Sequence, residues 1–136
     1  PFGLTGTGGA YMFTFESENA YIGKGETGRM DGSITTRTKQ DKALGGNGKI
    51  AGKAHVSTDG NNELGKMVEF KAMESAGFKG GKEMPDNFLN SFRSGESAWN
   101  DPKNKNLRAR AEELAHELRT KHDQDMANRK KNSYSS

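Results

Sequence analysis

Gly9-Ala10-Tyr11-Met12-Phe13-Thr14-Phe15, then Glu16-Ser17-Glu18-Asn19, then Ala20-Tyr21-Ile22-Gly23 is the stretch whose reading decides the fold. The outer runs are rich in aromatic and β-branched residues and the four residues between them are polar, so two short strands joined by a turn are predicted, a hairpin. Tyr11 and Tyr21 lie about equally far from the centre of that turn. They should therefore share one face as near cross-strand neighbours, about 5 Å apart at Cβ if directly opposite and farther if diagonal.

Working outward, Lys24 to Gly28 reads as a polar loop with a short helix starting near Arg29, and the polar, glycine-rich residues 31–48 read as a loop. Lys49 to Val56 alternates like a third strand. Thr58 or Asp59 can cap a helix with Glu63 in its first turn, whose stripe of Leu64, Met67, Val68 and Ala72 is stopped by Gly77. Phe88 to Phe92 is another short apolar patch. Leu107, Ala111, Leu114, Ala115 and Leu118 place an amphipathic helix from Leu107 to about Lys121, with a polar, frayed tail after His122. Together these predict an α/β (α+β) protein: a small three-stranded, mostly antiparallel sheet flanked by helices, with an added C-terminal amphipathic helix. Residues 1–9 read as a linker, 10–100 as the domain and 101–136 as the C-terminal helix and tail.

Composition narrows the chemistry. Only 30% of the 136 residues are hydrophobic and 18 are glycine, so the core is small and the loops are long. The absence of cysteine removes disulfides, thiolate zinc sites and thiol nucleophiles together. No apolar run approaches the roughly 18 residues a membrane span needs, and the N-terminus lacks a signal-peptide layout, so no membrane partner is expected. The net charge of +3 is uneven: residues 1–100 balance at 12 basic and 12 acidic side chains, whereas the last 36 hold 9 against 6. Tyr21 to Ser57 adds a second excess, seven basic residues (Lys24, Arg29, Arg37, Lys39, Lys42, Lys49, Lys53) against three acidic ones. Such stretches suit a phosphate-bearing partner, although a basic run is also what an ordinary solvated face looks like.

Gly9-Ala10-Tyr11 and Tyr21-Ile22-Gly23 resemble the paired "GIY" and "YIG" strands of the GIY-YIG endonucleases, the first motif departing to Gly-Ala-Tyr and the second matching in full. Lys24-Gly25 and Arg29, eight residues after Tyr21, are similar to the family's loop and the helix carrying its phosphate-contacting arginine. Glu69, in Met67-Val68-Glu69-Phe70, resembles the family's metal-binding carboxylate, and Asn90, in Phe88-Leu89-Asn90, its late asparagine. The resemblance covers roughly residues 9–92. At the other extreme, Pro1-Phe2-Gly3-Leu4 looks like the end of the motif that closes the core of RHS-repeat proteins ahead of their variable toxin domains.

The resemblance implies a GIY-YIG-like fold and a metal-dependent endonuclease, DNA favoured over RNA as substrate. Glu69 would hold one Mg²⁺ or Mn²⁺ that keeps most of its waters, and Arg29 would fork onto the non-bridging phosphate oxygens. Tyr11 would take a proton from the attacking water and Tyr21 would orient it; because tyrosine ordinarily titrates near 10, a nearby cation has to help. His55 is a further candidate for this work. Asn90 would orient Glu69, and Gly23, Lys24, Arg37 and Lys53 would contact substrate, the glycine by letting backbone come close. Tyr11, Tyr21, Arg29 and Glu69 are expected to converge on one concave basic surface, with the helix of Glu69 on the same face as the tyrosines and Asn90 beside Glu69. Glu74 ranks behind Glu69 as a metal ligand, Trp99 is either a stacking platform or a packing residue, and His116 and His122 receive no role.

The RHS-like tail implies a toxin delivered as part of a larger secreted protein, acting in the cytoplasm of a target cell and restrained by a cognate immunity protein. Two other readings remain open: a nucleic-acid-binding module without catalysis, and a toxin of another activity such as ADP-ribosylation. A zinc deaminase is disfavoured, since its cysteine ligands cannot be supplied.

Overall fold

Alternation along the hairpin decides which side chains reach which layer. In the computed structural model, which describes residues 8–79, 84–90 and 95–135, β1 (Ala10–Phe15) pairs antiparallel with β2 (Ala20–Lys24) on one side and with β3 (Ile50–Val56) on the other. The sheet order is β2-β1-β3, with helices on both faces, so the chain is a mixed α/β protein built on a three-stranded antiparallel sheet. The Pro1–Leu4 tetrapeptide, Ser91 and Phe92 lie outside the described residues.

The central strand is buried along its whole length because each face has its own cover. Met12, Ile22 and Val56 point to one face, where they meet Met67, Val68 and Met73 of α2 (Asn62–Ser75) and Leu114 and Leu118 of α4 (Arg108–Ser135). Tyr11, Phe13 and Phe15 point to the other, where Met30 and Ile34 of α1 (Thr27–Ala43) cover them. Between α2 and α4 lie a short helix, α3 (Glu96–Asn100), and a 3-10 turn, Pro102–Leu107. Gly9 is buried, and its carbonyl accepts a hydrogen bond from the Gly25 N–H at 2.9 Å, which ties the entry to β1 to the exit from β2.

Two expectations are corrected. Residues 31–43 are not a loop but most of α1. Two glycines and four threonines lower the helix propensity of α1, and its buried positions are only Met30 and Asp41, with Ile34 half-buried, a stripe too thin to stand out by periodicity. The helix is instead fixed by tertiary contacts at its two ends. Nor is the tail frayed after His122: α4 runs on to Ser135. Its inward stripe continues as His122 and Met126, and Asp125 accepts a hydrogen bond from the Lys53 backbone N–H at 2.9 Å, so polar groups rather than aliphatic ones carry the docking. The helix cap likewise falls later than expected, on Asn61, whose side chain accepts from Leu64 N–H, while the Thr58 hydroxyl donates to the Asn61 carbonyl.

Gly52 lets α4 come this close, since a Cβ there would run into the Met126 side chain. Gly52→Ala is expected to cost about 1–3 kcal/mol through overpacking. An unchanged denaturation midpoint would show that α4 yields freely at this contact.

Candidate active site

Tyr11 faces Gly23 across the ladder and Tyr21 faces Phe13, so the two tyrosines are diagonal neighbours on one face, their ring centroids 6.4 Å apart. Gly23 is required by packing: a Cβ at that position would lie 2.6 Å from the Tyr11 hydroxyl, so the ring crosses β2 only because no side chain is there. Gly25 turns the chain at φ +136°, and the aliphatic stem of Arg29 lies over it. His55, opposite Tyr11 in β3, holds the same turn, its Nε2 being 2.8 Å from the Gly25 carbonyl. From there Arg29, Ser33 and Arg37 follow at intervals of four along α1. With the two tyrosines they wall a concave site of about 400 Å³ that has no acidic side chain in its lining.

Burial pushes the Tyr11 hydroxyl above its ordinary value; Ser33, by hydrogen bonding, and the nearby Arg29 charge act the other way without reversing it. At neutral pH Tyr11 is therefore a neutral phenol that can position a ligand but is a poor base.

Glu69 does not share the tyrosine face. It stands on α2, which packs on the opposite side of the sheet, contrary to the expected common face. It does not line the concave site, although its charge acts on Tyr11. Desolvation pushes the Glu69 carboxyl up to about 7, against the opposing influence of Lys24. Among the described residues Glu69 makes no hydrogen bond or ion pair. Glu74, by contrast, is engaged by Lys71 at 2.6 Å.

Among the described residues no three His, Asp or Glu side chains are grouped to hold a metal. A cation here would have Glu69 as its one carboxylate and fill its remaining positions with water, a form that Mg²⁺ tolerates. A desolvated, unpartnered carboxylate fits that arrangement.

The remaining predicted residues are dispersed. Asn90 spends its amide on β2, accepting from Ile22 N–H at 3.1 Å and donating to Ile22 C=O at 2.6 Å, and so lengthens the edge of the sheet instead of orienting Glu69. Lys53 does not line the concave site; its backbone is held by Asp125. Trp99 is a packing residue, 5.9 Å from Phe70 between centroids and flanked by Lys71 and Arg108. His122 is buried, with Nε2 2.8 Å from the Thr14 hydroxyl, and plays a docking role. Sequence reasoning passed over Ser33, whose spacing of four from Arg29 was the available signal, and Asp41, for which a lone aspartate gave none.

Comparison with protein-family models, with curated proteins and with solved structures returns no match for this chain.

Proposed function

We propose that the chain is a metal-dependent phosphodiester hydrolase of the GIY-YIG type acting on nucleic acid, DNA ahead of RNA. The observation that carries this reading is the wall of Tyr11, Tyr21 and Arg29, whose lining holds no acidic group, together with the desolvated carboxylate of Glu69, whose charge acts on Tyr11. A concavity with no acidic lining and an exposed arginine suits an anion, and a desolvated carboxylate that makes no hydrogen bond or ion pair among the described residues suits a cation.

In this reading Arg29 holds the scissile phosphate through two parallel N–H bonds to its non-bridging oxygens and stabilises the charge that develops there. Tyr11, protonated and fixed by Ser33, and Tyr21 beside it align the attacking water with the phosphorus. His55 keeps the Gly25 turn, and with it the base of Arg29, in register with β3. A Mg²⁺ or Mn²⁺ on Glu69 supplies, when bound, an acidified water and neutralisation of the leaving oxygen. The RHS-like tetrapeptide supports delivery as part of a larger protein into a target-cell cytoplasm, with an immunity protein as the protective partner.

The test is incubation of the purified domain with supercoiled plasmid and with total RNA, in Mg²⁺ or in EDTA. Nicking of DNA in Mg²⁺ alone is expected, and binding without cleavage in both conditions would assign the chain to the non-catalytic module instead. Arg29→Ala should lower the rate about 100-fold or more, and Arg29→Lys should recover little of it because an ammonium lacks the fork. Near-native turnover by the lysine variant would reduce Arg29 to a surface charge.

A further inference from the structure

Arg37 is two helical turns beyond Arg29 on the same wall, and its environment is not that of a surface cation. Its guanidinium lies 4.4 Å from the centroid of the Tyr21 ring, Nη1 donates to Gln40 Oε1 at 2.8 Å, and Nε is buried without a hydrogen-bond partner among the described residues. The stacked ring holds the guanidinium plane in place, while a buried donor lacking a partner is uncommon and costly unless a ligand supplies the acceptor. Gly28, Gly32 and Thr36 of α1 line the same concave site as the two arginines.

These two glycines have no structural reason to be there. Both are exposed in helical backbone, a Cβ at Gly32 would meet nothing within 4 Å, and one at Gly28 would meet only Glu26 Oε1 at 3.7 Å. A glycine in a helix interior costs roughly 1 kcal/mol relative to alanine, and without a Cβ these two positions leave the helix backbone open to close approach from the concave side. Eight residues of α-helix separate the arginine Cα atoms by about 12 Å, and a stacked strand advances about 3.4 Å per phosphate.

From this geometry we infer that α1 is a track for one nucleic-acid strand: Arg29 and Arg37 each hold a backbone phosphate a few nucleotides apart, and the strand lies against Gly28 and Gly32. The inference rests on the phosphodiester reading and adds to it the path of the substrate, one strand several nucleotides long running along α1.

The experiment measures binding apart from cleavage. Glu69→Gln protein in EDTA is titrated into a fluorescein-labelled oligothymidylate about twelve nucleotides long, followed by anisotropy at several salt concentrations. Adding Arg37→Ala is expected to weaken binding about tenfold and to lower the slope of log K against log salt by about 1. Gly32→Leu should weaken binding comparably while leaving the thermal midpoint the same or higher, because leucine favours helix and the space is open. This second variant keeps the test decisive even if Arg37→Ala disturbs the packing on Tyr21. Thymidine monophosphate should compete poorly.

The track is overturned if both variants bind as the parent does while Arg29→Ala does not, if the mononucleotide competes as well as the oligomer, or if the parent shows no binding. In the first two cases metal-dependent nicking would still stand. Conversely, track binding without any cleavage by the wild-type chain in Mg²⁺ would overturn the hydrolase reading alone.

Discussion

Glu69→Gln is expected to leave the protein inactive and more stable. The wild-type carboxyl titrates at about 7 in the folded chain against 4.5 when free of the fold, with desolvation as the main cause. Below about pH 4.5 the group is protonated in both states and the fold bears no penalty. As pH rises towards 7 the unfolded chain ionises first, so stability falls, and above about 7 the penalty is complete, on the order of 2–3 kcal/mol. Glutamine has the same shape without the charge. Its thermal midpoint should therefore exceed that of the wild type by about 5 °C or more at pH 8 and match it at pH 4.5. Mg²⁺ should raise the wild-type midpoint at pH 8 and leave the glutamine variant unmoved, because only the carboxylate gives the cation something to bind. A residue that destabilises the fold and is needed for turnover is what a functional site contains. A fully active Glu69→Gln, or one whose margin over the wild type is no greater at pH 8 than at pH 4.5, would remove Glu69 from the site.

How much of this was legible in the sequence differs from element to element. The hairpin announced itself because aromatic residues alternate on both sides of a polar turn, and the same alternation put Tyr11 and Tyr21 on one face. α2 was legible because Leu64, Met67, Val68 and Ala72 repeat at helical spacing. α1 was hidden because most of its residues are polar or glycine and only Met30 and Asp41 are buried. Glycine and threonine at the positions that make the groove are the residues that suppress a helical signal. The position of Glu69 relative to the tyrosine face could not be read either, since strand alternation assigns faces within the sheet but not the face on which a later helix packs. Asn90 was found by position in the chain, yet its work, extending the β2 edge through its amide, depends on a contact 68 residues away. No local pattern encodes that.

The same dependence on distant contacts makes Asp41 the most sensitive position in α1. Asp41 is fully buried and among the described residues no basic side chain pairs with it; its carboxylate accepts from the Ser17 hydroxyl, from Asn19 Nδ2 at 2.8 Å and from the Gly48 N–H at 2.9 Å. Burial alone would raise this carboxyl, but those donors outweigh it and hold it below the usual carboxylate range. One side chain thus ties the C-terminal end of α1 to the β1–β2 turn and to the approach to β3. Asp41→Ala is expected to cost on the order of 3 kcal/mol or more, since three donors lose their acceptor together. Asp41→Asn should cost about 2 kcal/mol, because its amide turns N–H groups towards donors where oxygens stood. By contrast Asp31→Asn, exposed on the same helix, should stay within about 0.5 kcal/mol. The pH dependence is opposite to that of Glu69: stability due to Asp41 is present above its unfolded value of 3.8 and is lost as pH falls through the lower folded value. Because Arg29 and Arg37 both stand on α1, Asp41→Asn should also slow cleavage, and lower temperature should recover part of the loss. Denaturation midpoints of the three variants, measured beside their nicking rates, decide the matter. An Asp41→Asn protein as stable as Asp31→Asn would show that α1 is held by Met30 and Ile34 alone, and that the wall of the site does not depend on this carboxylate.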